Sequence, residues 1–315
     1  MPHKEFTMRL VPILLLSVLL IGCDFEDFGP SDRYKEDFHY TLKPADRLSV
    51  DNFNGSVEIE GWDEPNIEVT GVKYASTEDL LKTVKVEVHE MGSVTELRTV
   101  RQDTFRGNRG ARYVIRAPRK TIVDRVLSSN GSVRVHDMMS AANIHTSNGP
   151  IRIENVTGGV DAVTSNGSID LDTVSGRLNL HTSNGRIRAD YITGQCDAET
   201  SNGAVTLRFK DAPNGPTHVH TSNGSVELAL AQSPKDDIRA ETSNGSISVE
   251  LPSGVSAHVN ARTSNSVSSD FDVTGNVFDH EKHHLEGNIG SGGPLIELTT
   301  HNGGIHLRKG SANVN

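Results

Sequence analysis

Stacking rings, cysteines and positive charge are all scarce in this chain, and each scarcity closes off a class of protein. Phe, Trp and Tyr make up 5% of the 315 residues, with a single tryptophan. That excludes a broad carbohydrate-binding face tiled with aromatics, although a few well-placed rings would still suffice. Two cysteines, Cys23 and Cys196, are too few for a disulfide framework. The net charge is −10. A chain this acidic is a poor partner for nucleic acid. The apolar run from Leu10 to Ile21 is too short to cross a bilayer comfortably. Signature loops of catalysis are missing too: there is no G-x-S-x-G, Walker loop, Rossmann glycine pattern or Cys/His zinc spacing.

What the chain has instead is repetition. Thr-Ser-Asn-Gly begins at Thr146, Thr164, Thr182, Thr200, Thr221 and Thr242, and degenerates to Thr263-Ser264-Asn265-Ser266. Counted by asparagine from Asn130, the spacing is 18, 18, 18, 18, 21, 21 and 21. A fixed period near 20 residues is the mark of a solenoid. Around each corner apolar residues alternate with polar ones, as in Ile144, then Ile151 and Ile153, or Leu180, then Ile187 and Ala189. The alternation predicts two half-buried strands per repeat. A second turn is expected at Val156-Thr157-Gly158, Val174-Ser175-Gly176 and Ile192-Thr193-Gly194. Asn-Gly between strands also suits an antiparallel hairpin. Only stacking in register, however, explains why Thr and Ser are copied along with it. The prediction is an all-β, parallel β-solenoid (β-helix) of about ten coils with 18–21-residue repeats. Asn130, Asn148, Asn166, Asn184, Asn202, Asn223, Asn244 and Asn265 would then stand about 4.8 Å apart and bond amide to amide.

The chain divides accordingly. Residues 1–22, with Lys4 and Arg9 ahead of the apolar run, read as a signal peptide. The run closes as Leu20-Ile21-Gly22-Cys23, which resembles the lipobox of bacterial lipoproteins and implies lipidation of Cys23. Removing residues 1–22 takes away Lys4, Arg9 and Glu5, a net +1, leaving −11. Asp24 after the cysteine would imply inner-membrane retention by the enterobacterial rule. Residues 23–45 are acidic and read as a tether. Residues 46–125 hold a first coil, with Trp62 expected to cap its core, and then an irregular insertion that opens on a short capped helix at 76–81. Residues 126–274 are the repeat array. Residues 275–315 form a final coil and cap, with Asn302-Gly303 at its corner. Cys196 takes an inward position otherwise held by aliphatics and reads as a buried small hydrophobe.

Three features carry candidate chemistry. Nine basic residues against two acids lie between Arg98 and Arg125. Among them Arg106, Arg109, Arg112, Arg116, Arg119 and Lys120 form a candidate patch for anionic lipid or glycan, or else a solvated face. His280-Glu281-Lys282-His283-His284 matches the zinc-protease pattern H-E-x-x-H, which requires both histidines on one helix face. It sits between Gly275 and Gly287 without an apolar helix around it, so no metal and no cofactor is expected. The outward column His145, Val163, His181, Glu199, His220, Glu241 and Arg262 alternates base and acid. It offers either acid–base catalysis or plain cross-strand charge pairing, and pairing is the reading preferred.

Asn54-Gly55-Ser56-Val57 with Gly61-Trp62, Pro118, the repeated Thr-Ser-Asn-Gly, and Gly287–Gly293 ahead of Asn302-Gly303 resemble the bacterial putative-adhesin β-strand-repeat family. That family is a domain of unknown function similar to auto-transporter adhesin heads. The resemblance spans about residues 46–308. It implies a right-handed solenoid at the cell envelope, some relatives being tied to envelope stress, and it brings no catalytic residues. The expected protein is a non-enzymatic, lipid-anchored envelope rod, on the periplasmic face of the inner or outer membrane if Gram-negative. It would be monomeric and would present a surface to an envelope protein, glycan or lipid. The alternative is a carbohydrate-active β-helix enzyme acting on a polysaccharide.

Overall fold

The computed structural model describes residues 32–102, 106–275 and 283–310. The signal segment 1–22, Cys23, and His280, Glu281 and Lys282 of the H-E-x-x-H match lie outside the described residues. Within them the chain forms two long sheets, of 13 and 14 strands, facing one another across a continuous aliphatic core. Each coil gives one strand to each sheet and is named here for its corner asparagine. The Asn148 coil runs Ala142–Thr146, corner, Ile151–Thr157. The Asn166 coil runs Val160–Thr164, corner, Ile169–Ser175. Their strands pair in parallel, Ala142 beside Val160 and Ile151 beside Ile169. Like stands over like, as the repeat predicts. The inward columns, among them Ile144, Ile151, Ile153, Ala162 and Ile169, are fully buried. At about 25 cal/mol per Å² of apolar surface these columns are the main adhesive between coils.

The stack is not threaded in sequence order at either end. Residues 46–125 were expected to give one coil and an insertion; they give two. Val94–Arg101 and Arg109–Pro118 form an outer coil, the Asn108 coil, beneath the Asn54 coil of Arg47–Asn52 and Val57–Trp62. The Asn54 coil is therefore sandwiched, with the Asn130 coil (Ile122–Ser128, Val133–His136) on its other side. At the far end Leu295–Thr300 and Ile305–Lys309 make the Asn302 coil. It slots between the Asn244 coil (Ile238–Thr242, Ile247–Leu251) and the Asn265 coil (Ala257–Arg262, Val267–Ser269).

Antiparallel strands close both ends. At one end Tyr34–Leu42 pairs with Ile67–Ala75 and Val84–Met91 with Val94–Arg101; at the other His284–Ile289 pairs with Ala257–Arg262 and with Val273–Thr274. The acidic stretch expected to be a tether up to residue 45 is thus folded from Tyr34 onward. Phe38 in that strand packs edge-on against Tyr113, at 5.3 Å between ring centroids. The expected capped helix is present at Glu78–Lys82, where the Leu80 amide donates to the Thr77 hydroxyl. Trp62 does not cap the core. It is half-buried at the end of its strand and donates from Nε1 to the Asn66 carbonyl, fixing a turn. Cys196 is buried as expected, and desolvation pushes its thiol up to about 12.

The second corner also differs from expectation. Val156, Val174 and Ile192 are not turn residues but buried strand residues. Each follows a backbone residue in the left-handed region: Asn155 at φ 54°, Thr173 at 55° and Tyr191 at 54°, with Asp137 ahead of buried Met138 at 59°. The reason is parity. In these coils the last apolar residue comes three places after the previous inward one (Ile153 to Val156, Ala189 to Ile192), and alternation alone would point it outward. One left-handed residue inserts a bulge that restores the inward direction. From Asn202 onward the spacing is two (Leu207 to Phe209, Leu228 to Leu230, Val249 to Leu251), and no positive φ is needed.

Candidate functional site

The Thr-Ser-Asn-Gly corner is built by hydrogen bonds within and between coils, and they account for its threonine, asparagine and glycine. The Thr182 hydroxyl is wholly buried; it donates to the Gly167 carbonyl at 3.0 Å and accepts from the Gly185 amide at 3.2 Å. Thr164, Thr200, Thr221, Thr242 and Thr300 donate to the glycine of the preceding layer in the same way. Asn52 fills the Thr position in the Asn54 coil and bonds the Gly55 and Ala111 carbonyls at 2.9 Å each. The glycine is required by contact. A Cβ on Gly167 would lie 1.9 Å from the Gly149 carbonyl oxygen, and its φ is not positive. Asn-Gly here is a stacking device rather than a hairpin turn.

The asparagines form the predicted ladder. Each Nδ2 donates to the Oδ1 of the coil before: Asn148 to Asn130 (2.9 Å), Asn166 to Asn148 (2.8 Å), Asn184 to Asn166 (2.8 Å) and Asn202 to Asn184 (2.9 Å). Asn223, Asn244 and Asn302 continue it at 2.8, 2.8 and 2.7 Å. Asn302, not Asn265, is the terminal rung. The Asn265 corner lacks the glycine and is one residue short, and its backbone amide turns in to the Thr263 hydroxyl. Asn54 donates to Asn108 at 3.1 Å at the other end.

The outward charges are largely consumed in pairs. His181 sits 3.5 Å from Glu199 and His220 3.8 Å from Glu241, while His145 stands beside Val163. Arg262 does not follow Glu241, because Thr299 of the interposed coil takes that place. Of the basic segment, Arg109 is buried and donates to the Thr83 hydroxyl. Arg112 is paired with Asp32 and lies over the Tyr74 ring. Arg116 pairs with Glu60 at 3.0 Å and Arg119 with Asp63 at 2.8 Å. Arg106 and Lys120 are exposed. The six residues therefore do not gather into one positive surface. His284 of the H-E-x-x-H match begins a strand, His284–Ile289, and lies 3.5 Å from Glu286.

Two polar clusters were not anticipated. One joins coils out of sequence: His136 lies 2.8 Å from Asp137 and 3.5 Å from Glu58 of the Asn54 coil. Its bond to Glu58, helped by Asp137, raises the imidazole from 6.5 to about 9 against the pull of burial. The other is a cleft of about 640 Å³ beside the second corner, at the step from 18- to 21-residue coils. Tyr191 is its exposed ring, and Phe209 and Leu230 are buried behind it. Asp190 binds Arg188 at 2.6 Å and Arg208 at 2.8 Å. Burial alone would raise the Asp190 carboxyl, but the hydrogen bonds from Arg208 and Arg188 outweigh it and hold it below the usual range. The change of spacing from three to two at Phe209 was the sequence signal for this step.

Taken together, fold and surface define a two-sheet parallel β-solenoid with paired outward columns. Residues 125–237 match the family model Toastrack DUF4097, in keeping with the resemblance drawn from the corner motifs. No curated protein matches the chain. Among solved structures it is similar to a putative adhesin from Bacteroides fragilis (8% identity, covering 89% of this chain and 98% of that one, TM-score 0.36). It is similar also to a putative lipid binding protein from Parabacteroides distasonis (11% identity, 89% and 98% covered, TM-score 0.38). A third is a putative cell adhesion protein from Clostridium sporogenes (12% identity, 88% and 100% covered, TM-score 0.28). Likeness at this level carries no argument about what the chain binds. Among the described residues no helix is long and apolar enough to cross a membrane.

Proposed function

We propose that this protein is a non-enzymatic rod held at the cell envelope by a lipid on Cys23, where it presents its flanks for binding, adhesion or scaffolding. The resemblance stated from sequence adds a role under envelope stress. The observation that carries the reading is the unbroken Asn130-to-Asn302 ladder with the Thr column behind it. A surface held rung by rung over successive coils is stiff, and stiffness suits presentation. The His/Glu column supports the same reading, because His181–Glu199 and His220–Glu241 each satisfy one another across neighbouring strands.

Fractionation and turnover test the two halves. Cys23→Ser should move the protein out of the membrane fraction; retention there would count against the lipid. Glu199→Gln and His220→Ala should leave any processing of envelope polysaccharide by the intact protein at background. Turnover by the parent that either substitution abolished would establish the carbohydrate-active alternative instead.

A further inference from the structure

We infer that the cleft at the 18-to-21 step is a binding site for a neutral hexopyranose glycan, with Tyr191 as its stacking platform. The inference rests on the proposed binding role and names the ligand class for it.

The argument begins with a cost. Asp137, Asn155, Thr173 and Tyr191 occupy the same left-handed position in successive coils. Asp and Asn tolerate that region; β-branched Thr173 and, more so, the bulky ring of Tyr191 are outliers there and cost stability. Re-phasing the strand needs only a left-handed residue, which Asn155 supplies two coils earlier in the same column. A tyrosine is therefore not explained by the fold. It is also 46% exposed, one of only four large hydrophobics so placed among the described residues.

Its location is a step in the rod. Tyr191 ends the bulge column, and the next coil runs straight with Phe209 beside Ile192. The chain after Phe209 then takes a longer loop before Thr217. The wall drops away below the ring, leaving the cleft with Phe209 and Leu230 as its apolar backing. A pyranose has an apolar C–H face and a rim of hydroxyls. An exposed ring meets the first, and fixed charged groups meet the second.

Those groups balance. Arg188, Arg208 and Lys210 stand against Asp172, Asp190 and Glu250, three of each sign. Asp190 bonds both guanidiniums and Glu227 takes Arg208 at 3.3 Å, so two carboxylates offset the two guanidiniums. Nothing in the cleft favours an anion such as a phosphate or a uronate. The Asp190 bonds do hold both arginines in place, leaving further N–H donors for hydroxyl oxygens.

Calorimetric titration of the full chain with cellohexaose, laminarihexaose, chitohexaose and mannohexaose tests this, with hexagalacturonate as the anionic comparison. At least one neutral hexaose should bind with Kd below about 1 mM. Tyr191→Ala should weaken it about tenfold or more, and Tyr191→Trp should keep it within about threefold. Tyr191→Asn separates ligand from fold: it should raise the unfolding midpoint, by relieving the left-handed tyrosine, while losing the sugar. No neutral binding below about 1 mM, binding unaltered in Tyr191→Asn, or tighter binding of hexagalacturonate lost in Lys210→Ala would each overturn the assignment. Reducing-end assay of the same mixtures keeps the two readings apart. Shortened oligosaccharide would sink the non-enzymatic role, whereas absent binding without turnover would sink only the cleft.

Discussion

At the corner, the residue that catches the eye is asparagine, but the one that matters more for stability is threonine. The Asn184 side chain is exposed, and its amide can trade a ladder partner for water. The Thr182 hydroxyl is wholly buried between two glycine backbones and cannot. A buried polar group deprived of its partner costs about 1–3 kcal/mol, against roughly 0.5–1.5 for an ordinary net bond. Thr182→Val strands both the Gly185 amide and the Gly167 carbonyl, so urea titration should show it losing more than Asn184→Ala. The reverse order would mean the ladder, not the Thr column, holds the coils. His136 supplies a second test at this scale. Its folded value is raised from 6.5 to about 9 through Glu58 and Asp137. Its contribution is therefore complete below pH 6.5 and fades as pH climbs to about 9. Glu58 and Asp137 are lowered chiefly by His136, so theirs is present above their ordinary values and lost in acid. His136→Gln should flatten the fall in stability between pH 6.5 and 9, as read from midpoints across that range.

At the scale of a coil, what tolerates change is set by the distance to the next layer. Gly167→Ala would drive a Cβ to 1.9 Å from the Gly149 carbonyl oxygen, between backbones with no side chain to yield. Overpacking costs about 1–3 kcal/mol, and a backbone clash with nothing to yield falls at the upper end of that range. Gly254 has open space around its Cβ position and no positive φ, so Gly254→Ala should fall within about 0.5 kcal/mol of the parent. A denaturation midpoint for Gly167→Ala as mild as that for Gly254→Ala would refute the close-approach account. This scale is also where the sequence was most readable. Identity at fixed spacing exposes anything that obeys one-dimensional stacking: the strands, the Thr and Asn columns, the inward aliphatics. It conceals pairing that breaks sequence order. Nothing in Thr263-Ser264-Asn265 reveals that Asn302 will stand between it and Asn244. Nor does the run of arginines from 106 to 119 reveal that Asp32, Glu60 and Asp63 will meet them. The left-handed bulge is legible in principle, since three-residue spacing before Val156 violates strand parity, but Gly158 close behind gives the stretch the look of a turn.

Across the whole rod, each coil touches only its neighbours, and this makes the interleaved Asn302 coil the informative place to cut. The free edges beyond it are short, Val267–Ser269 in one sheet and Val273–Thr274 in the other, and the two opposite edge strands carry Lys35, Glu36 and Asp37, and Lys85, Glu87 and Glu90. Short or charged edges discourage chain-to-chain pairing. Ending the chain at residue 294 removes Ile296, Leu298, Ile305 and Leu307, all buried, from between two layers. The Asn265 coil can then reach the Asn244 coil only through a corner one residue short and without the glycine, its Asn265 backbone N–H turned in to the Thr263 hydroxyl. It gains no ladder rung and inherits an edge shaped for a different partner. In a quasi-one-dimensional stack such damage should stay local. Hydrogen exchange should show protection over 257–269 and 284–289 falling about tenfold or more in the truncated chain, while 142–230 remains as slow as in the parent. Unchanged protection over those strands would mean the inserted coil supports nothing. Loss throughout 142–230 would mean the rod is a single cooperative unit rather than a column of separable layers.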